Sequence, residues 1–196
     1  PPGKSSMRRS IVATITSVGM TEISLEILAL MAYQSLFGFL YGRIALLTGS
    51  YMAGLALGGW LGTRRVERRG ATLSDLFFVQ GGITAIPLVW FALLRFHTEF
   101  SAHAALTEAG FYVLTVLAGI AGGLQFPAAD ALYRESAGSE SSGEGVLYGV
   151  DLASSSVGAL VTASLMIPVM GMTTVLLFLA VLNGAAAGVL WLRMRD

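Results

Sequence analysis

The chain has 196 residues, of which 55% are hydrophobic and only 12% are charged, and its formal net charge is zero. An average soluble domain is about 45–50% apolar and about 25% charged, so this composition argues against a water-soluble fold. The neutral balance gives no support for nucleic-acid binding through bulk charge. The chain contains no cysteine, which excludes disulfides, iron–sulfur clusters and thiolate zinc sites. We expect an integral membrane protein with no cofactor.

Six stretches are long and apolar enough for a helix to cross the bilayer, which takes about 20 residues. In chain order they are residues 11–40, 44–61, 73–96, 105–132, 146–170 and 172–192. The sequence therefore predicts an all-α membrane protein with one six-helix transmembrane domain at residues 11–192. A cytoplasmic N-terminal segment at 1–10 and a cytoplasmic C-terminal end at 193–196 flank it.

The basic residues divide unequally between the two ends of these spans. Ten of the twelve Lys and Arg residues fall on one side of a six-span topology, and only Arg43 and Arg95 fall on the other. Because Lys and Arg are retained in cytoplasmic loops, this distribution predicts that both termini are cytoplasmic. The densest group forms a predicted cytoplasmic basic loop after the second span: Arg64, Arg65, Arg68 and Arg69.

Small residues recur at four-residue intervals within the spans. At this spacing they lie on one face of a helix and let two helix backbones approach closely in the bilayer. We interpret six glycines as helix-packing residues on this basis: Gly54, Gly58, Gly62, Gly119, Gly123 and Gly158.

A shift of 104 residues places the first three spans over the last three. Under this shift Gly19 meets Gly123, Glu26 meets Asp130, Ser50 meets Ser154 and Gly54 meets Gly158. Two copies of a three-helix unit would be inverted relative to each other in the membrane, as in the halves of many transporters. In a chain this rich in Gly, Ala and Leu, chance matches are an alternative explanation.

Two carboxylates lie near the middle of the first span. Glu22 and Glu26 are one helical turn apart and therefore share a face. Ionising both in a low-dielectric setting is costly, so we expect the pair to hold a proton or to bind a cation. The alternative is that both face a hydrated crevice or bond to polar groups on neighbouring helices.

Further polar residues within the spans complete the set of candidate proton- or ligand-binding residues. Asp130 is four residues before Arg134, so a helix ion pair is the simpler explanation for it. Asp151 lies one turn into the fifth span, where the helix dipole favours a carboxylate. With Glu22, these two acids would form an acidic pocket open to the cytoplasm. Gln125 and Asn183 add uncharged polar groups to the candidate set.

The sequence offers little for catalysis or metal binding. His97, Glu99 and His103 lie in a predicted external loop, where weak zinc binding is less favoured than an ordinary solvated loop. We find no nucleophile arrangement, phosphate-binding glycine loop or metal-ligand motif. We therefore predict that this chain is not an enzyme, that it binds no metal and that it has no nucleic-acid partner.

Several segments resemble the membrane domain of bacterial spermidine/spermine synthase-like fusion proteins. They touch five of the six spans and lie at residues 22–30, 49–62, 123–127, 147–151 with 158–160, and 182–183. The resemblance implies a transporter-like helical part in the bacterial inner membrane and a link to polyamines. The family's aminopropyltransferase domain has no counterpart in this chain, so no catalytic residue carries over.

The segment after the second span also resembles the cytoplasmic signature of major facilitator transporters, and six spans match half of such a transporter. Gly59, Leu61 and three arginines fit this signature. Thr63 stands where an acidic residue is usual and Val66 where glycine is usual, which puts the family's gating role in doubt.

These observations support three hypotheses. The first is a transporter-like module that binds or passes a small cation, a proton or a polyamine at its intramembrane acids. The second is a non-catalytic anchor or scaffold of a larger membrane complex, with a homo-oligomer or other membrane subunits as partners. The third is the membrane half of a polyamine aminopropyltransferase.

Overall fold

In the computed structural model of the protein, residues 2–38, 41–96, 104–137 and 145–195 are described, and nearly all of them are helical. Six helices follow one another: α1 (Pro2–Phe37), α2 (Tyr41–Arg69), α3 (Leu73–Arg95), α4 (Ala104–Ala137), α5 (Val146–Met170) and α6 (Met172–Arg195). Each is long and apolar enough to cross a membrane. The predicted all-α, six-helix membrane fold is confirmed.

One feature of the helices differs from the sequence prediction. The basic segment predicted as a loop is helical, because α2 continues without a break to Arg69. Arginine is a good helix former, and Arg68 and Arg69 in the last turn complement the negative end of the helix dipole. The first span, which is long enough to break, is a single continuous helix.

Glycines with a positive φ end three of the helices: Gly38 after α1, Gly70 after α2 and Gly171 after α5. Gly70 has φ 73° and donates its N–H to the carbonyl of Val66, and Gly171 has φ 78° and donates to Ile167. Only glycine adopts this φ without strain, so both positions are helix stops. Gly171 also joins α5 directly to α6, which makes them sequence neighbours with a one-residue link.

The helix pairs in contact follow the internal repeat predicted from the sequence. The principal contacts are α2 with α4 and α1 with α5, α3 with α4 and α1 with α6, and the two central pairs α1 with α4 and α3 with α6. Exchanging α1 with α4, α2 with α5 and α3 with α6 leaves this set unchanged. The described helices therefore pack with an approximate two-fold relation between residues 2–95 and residues 104–195.

The directions of the helices agree with six crossings. Arg8 bonds to Tyr133 at one end of the α1–α4 pair and Tyr33 bonds to Glu108 at the other, so these two helices are antiparallel. α1 and α5 run parallel, since Gly19 lies beside Ser155 and Ser24 lies beside Thr162.

Two apolar clusters fill the bundle, one toward each end. One cluster contains Tyr33, Trp90 and Phe111, whose rings meet edge to face at 4.9 Å and 5.6 Å between centroids. The other contains Ile11, Leu76, Leu132 and Leu190. A layer of polar side chains lies between the two clusters and forms part of the candidate site.

Candidate functional site

Glu22 lies midway along α1 and points into the bundle toward α4. Its carboxylate occupies the space that a side chain at Gly122 would fill, so the glycine makes room for it. Tyr51 of α2, which is buried, donates its hydroxyl to Oε2 of Glu22 at 3.2 Å. Oε1 of Glu22 is buried and has no hydrogen-bond partner among the described residues.

A second carboxylate approaches Glu22 from α5. Asp151 lies against Gly19, where an added Cβ would be 2.6 Å from Oδ1 of Asp151 and 2.5 Å from Oγ of Ser154. Ser155 donates its hydroxyl to the Gly19 carbonyl at 3.1 Å and fixes α5 against α1. Glu22 and Asp151 are close enough for their charges to interact.

Glu26 completes a group that we call the acidic site, defined as Glu22, Glu26, Tyr51 and Asp151. Glu26 lies one helical turn beyond Glu22 on α1, so the two carboxylates share a face of the helix. All three acids are partly exposed, although Oε1 of Glu22 is itself buried. None of the three carboxylates forms an ion pair with another described residue.

Beside the acidic site runs a fully buried chain of hydrogen bonds between uncharged side chains, here called the amide chain. Asn183 donates to Thr21 at 2.6 Å, Gln80 donates to Oδ1 of Asn183 at 2.9 Å, and Gln125 donates to Oε1 of Gln80 at 2.7 Å. All four side chains are completely buried. In a bilayer such bonds satisfy groups for which lipid offers no partner.

The amide chain follows the two-fold relation of the helices. The 104-residue shift converts Thr21 into Gln125, and Gln80 on α3 has Asn183 as its near-equivalent on α6. The Gln80–Asn183 bond therefore lies at the centre of the bundle, where the two halves meet. Only one end of the chain is complete, because Oε1 of Gln125 is buried without a partner among the described residues.

Two buried acceptor oxygens consequently lie on the same side of α4. Gly122, which faces Glu22, precedes Gln125 by three residues, or about one helical turn. An acceptor that is buried without a donor costs about 1–3 kcal/mol. A proton, a water molecule or an ammonium group placed here would supply the missing donor.

The fourth predicted acid lies apart from this site. Asp130 forms an ion pair with Arg134 at 2.8 Å, as the four-residue spacing predicts. It is eight residues beyond Gly122 on α4, or about 12 Å along the helix axis. The predicted pocket of Glu22, Asp130 and Asp151 therefore does not form, because Asp130 has its own partner in a different layer of the bundle.

The predicted packing glycines lie at interfaces inside the chain. A Cβ at Gly58 would be 2.8 Å from Cα of Ile120, and a Cβ at Gly123 would be 2.6 Å from N of Gly59. Gly158 packs on Cα of Met20 in the same way, at 2.9 Å. Five of the six glycines join α2 to α4 and one joins α5 to α1: Gly54, Gly58, Gly62, Gly119 and Gly123 in the first interface, and Gly158 in the second.

Tyr51, Thr21 and Gly122 were not singled out by sequence reasoning. A tyrosine in a glycine-rich span and a threonine in a first span look like ordinary packing residues until the neighbouring helices are in place. The zinc candidates His97, Glu99 and His103 lie outside the described residues, and among those described no group of three metal ligands occurs.

Comparison with known proteins gives no match to a family model, to a curated protein or to a solved structure. The resemblance to spermidine/spermine synthase-like membrane domains therefore stays a prediction, and the function must be argued from the geometry of the acidic site.

Proposed function

We propose that the protein is an integral membrane module that binds a small cation, a proton or a polyamine amine at the acidic site. The observation that carries this proposal is the Glu22 carboxylate, which lies in mid-span with one oxygen buried and unpartnered among the described residues. Buried carboxylates in a membrane protein are normally paired or functional, because an isolated charge there is costly.

The charge around Glu22 favours a cationic ligand over an anionic or neutral one. Glu26 and Asp151 lie within about one helical turn of Glu22 along α1, whereas the basic residues described in the structure lie near the ends of the helices. An ammonium group would bond to Oε1 of Glu22 and be attracted by Glu26 and Asp151. Alternatively, the ligand is a proton that binds to the Glu22 carboxylate itself. Glu26 and Asp151, which are partly exposed, would then exchange this proton with the surroundings of the bundle.

The arginine-rich end of the bundle is proposed to face the cytoplasm of a bacterial cell, in the inner membrane. Arg8, Arg65 and Arg134 lie at this end. Lys and Arg are usually retained on the cytoplasmic side of a membrane protein, which supports the assignment. Under this orientation both termini are cytoplasmic, and Tyr33, Arg43 and Glu108 form the external end.

The scaffold hypothesis receives no comparable support. It relied on glycine-lined faces as docking surfaces, but Gly54, Gly58 and Gly62 are covered by α4 of the same chain. A partner subunit would have to use other surfaces. The aminopropyltransferase hypothesis likewise gains no observation from the described residues.

Neutralising Glu22 tests the proposal. We expect the Glu22→Gln variant, reconstituted in lipid nanodiscs, to bind spermidine at least about tenfold more weakly than the parent by calorimetry, since a charge-assisted bond is lost. In vesicles loaded with a pH-sensitive dye, the same change should abolish any proton leak of the parent. Glu67→Gln, an exposed acid on α2, is the matched control and should change neither. Binding and leak that are both independent of Glu22 would refute the proposal.

A further inference from the structure

Two cavities adjoin at the arginine-rich end of α2. One has a volume of about 410 Å³, lies among α2, α3 and α4, and has an apolar wall that includes Phe78, Val79 and Ala128. The other, of about 490 Å³, follows the outer side of α2 along Trp60 and the arginines. Arg65 and Leu124 line both cavities, which are therefore adjacent, and the two together are here called the basic groove.

The two arms of the basic groove differ in chemistry. The Arg64 guanidinium stacks on the Trp60 ring at 4.0 Å from its centroid, and Arg65 forms an ion pair with Asp75. Arg68 and Arg69 form no ion pair in the described part of the chain. Even after the nearby Glu67 is counted, positive charge is in excess in this arm, whereas the other arm is lined mainly by apolar residues together with the Arg65–Asp75 ion pair.

The basic groove lies at the depth where lipid headgroups meet the acyl chains. α2 ends at Arg69 and α3 begins at Leu73, so the arginines mark the end of the spans. Trp60 is 50% exposed and Phe78 is 75% exposed on the outer surface of the bundle. Tryptophan at such a surface is typical of the membrane interface.

We propose that the basic groove binds one anionic phospholipid. The phosphate would lie against Arg64, Arg68 and Arg69, and an acyl chain would follow Phe78, Val79 and Leu124. Clustered arginines beside a membrane span attract anionic headgroups, and the guanidinium group suits phosphate oxygens. A ligand that fills both arms must be anionic at one end and apolar along the rest, which is the composition of an anionic lipid. This inference does not depend on the acidic site.

A second arginine–tryptophan pair provides an internal control. Arg195 stacks on Trp191 at 4.2 Å, at the arginine-rich end of α6. Neither residue lines the basic groove. Bulk attraction of anionic lipid to this end of the protein would involve both pairs, whereas a specific site involves only the pair on α2.

Fluorescence quenching by brominated lipid tests the proposal. The full chain with Trp191→Phe retains exposed Trp60 and Trp90, which is only 2% exposed and serves as background. It is reconstituted in two vesicle preparations of identical phosphatidylglycerol and phosphatidylcholine content that differ only in which lipid carries bromine near its headgroup. We expect quenching of Trp60 to show a several-fold preference for phosphatidylglycerol, of the size expected for two to three arginines. Equal quenching by the two preparations would overturn the proposal.

Variants locate the bound lipid. Arg68→Gln with Arg69→Gln should remove most of the preference, and Val79→Phe, which fills the apolar arm without changing charge, should reduce it about twofold or more. Arg195→Gln should leave it unchanged. If Arg195→Gln lowers the preference as much as the double variant does, the preference comes from bulk charge and not from a site. If Val79→Phe does not lower it, no acyl chain occupies the apolar arm. Either result contradicts the proposal.

Inorganic phosphate separates a lipid site from a simple phosphate site without any change to the groove. Millimolar phosphate should not lower the preference of the Trp191→Phe chain, because phosphate lacks the acyl chain that the apolar arm accommodates. Displacement by phosphate would refute the lipid as the occupant. This measurement and the comparison of the two vesicle preparations decide the matter even if the arginine variants fold poorly.

Discussion

The α2–α4 and α1–α5 interfaces are equivalent under the exchange of the two repeats, yet their side chains differ in kind. Glycines on both sides bring the backbones of α2 and α4 together, as at Gly58 and Gly123. In the α1–α5 interface hydroxyl and carboxyl groups take part instead, through Ser155 and Asp151 and through the 2.7 Å bond between Ser24 and Thr162.

The repeat shift shows where the two halves have diverged. Gly58 corresponds to Thr162, which lies in a π-helical turn of α5 (Thr162–Met166), and Asp151 corresponds to the fully buried Leu47. π-Helical turns in α-helices frequently occur at functional sites. The α2–α4 interface is therefore closely packed through glycines, whereas the α1–α5 interface carries polar groups.

Exchanging the residue types at Leu47 and Asp151, which are equivalent under the repeat shift, should give the largest effect. Leu47→Asp places a carboxylate in the apolar core of the bundle and should cost at least about 3 kcal/mol of unfolding free energy. Asp151→Leu removes a partly exposed acid without an ion pair and should fold normally, but bind cation weakly. Fluorescence-detected size exclusion in detergent would show the amount of folded protein for each variant, and calorimetry in nanodiscs would show the loss of cation binding by Asp151→Leu. Equal loss of folded protein in the two variants would contradict the difference between the halves.

Adding a methyl group to the glycine interface should have the next largest effect. A Cβ at Gly58 collides with the Ile120 backbone, so Gly58→Ala should destabilise the protein by about 3 kcal/mol. Gly49 on the same helix has open space around it, and Gly49→Ala should be neutral or slightly stabilising. Denaturant titration in mixed micelles measures both values, and similar values would show that the close α2–α4 contact is unimportant.

Gly158→Ala, the corresponding change in the α1–α5 interface, should destabilise the protein less. A Cβ at Gly158 would lie 2.9 Å from Cα and 3.0 Å from O and Cγ of Met20, which is farther than the 2.2 Å between a Cβ at Gly58 and O of Ile120. We expect Gly158→Ala to cost about 1–2 kcal/mol, less than Gly58→Ala. Denaturant titration in mixed micelles again measures the loss of unfolding free energy. A larger loss for Gly158→Ala than for Gly58→Ala would contradict a more adaptable α1–α5 interface.

The hydrogen bond between Gln80 and Asn183, which joins α3 to α6, should give the smallest effect. A double-mutant cycle of Gln80→Leu and Asn183→Leu should give a coupling free energy of about 1 kcal/mol, because each single change leaves a buried polar group unpaired. Gln80→Leu combined with Thr162→Val, which touches a different hydrogen bond, should be additive. A coupling near zero for the first pair would mean that the amide chain contributes little.

Much of the fold was predictable from the sequence because lipid imposes simple rules. Span length and hydropathy identified the six helices, and glycines at four-residue spacing identified helix faces that pack closely. The limits of α2 were not predictable from hydropathy, because Arg64 to Arg69 are polar but still helical. The internal repeat was detectable as matched residues, and the pairing of the helices agrees with it.

The acidic site was only partly predictable. Glu22, Glu26 and Asp151 are rare charges in spans and are visible in any sequence reading. Which of them meet depends on helix rotation and depth, so Asp130 was wrongly grouped with them. The role of Tyr51 arises from a neighbouring helix and has no signal in the local sequence.

The most direct test of the acidic site uses identical residues at equivalent positions of the two halves. Ser154 lies beside Asp151, and Ser50 is its counterpart in α2; the chain has no native cysteine to interfere. Ser154→Cys and Ser50→Cys are each treated with a positively charged thiol reagent, with and without Glu22→Gln. The account predicts that Glu22→Gln slows the reaction of the Ser154→Cys variant by about tenfold, through loss of local negative potential, and leaves the Ser50→Cys variant unchanged. Rates that do not depend on Glu22 at either position would contradict it.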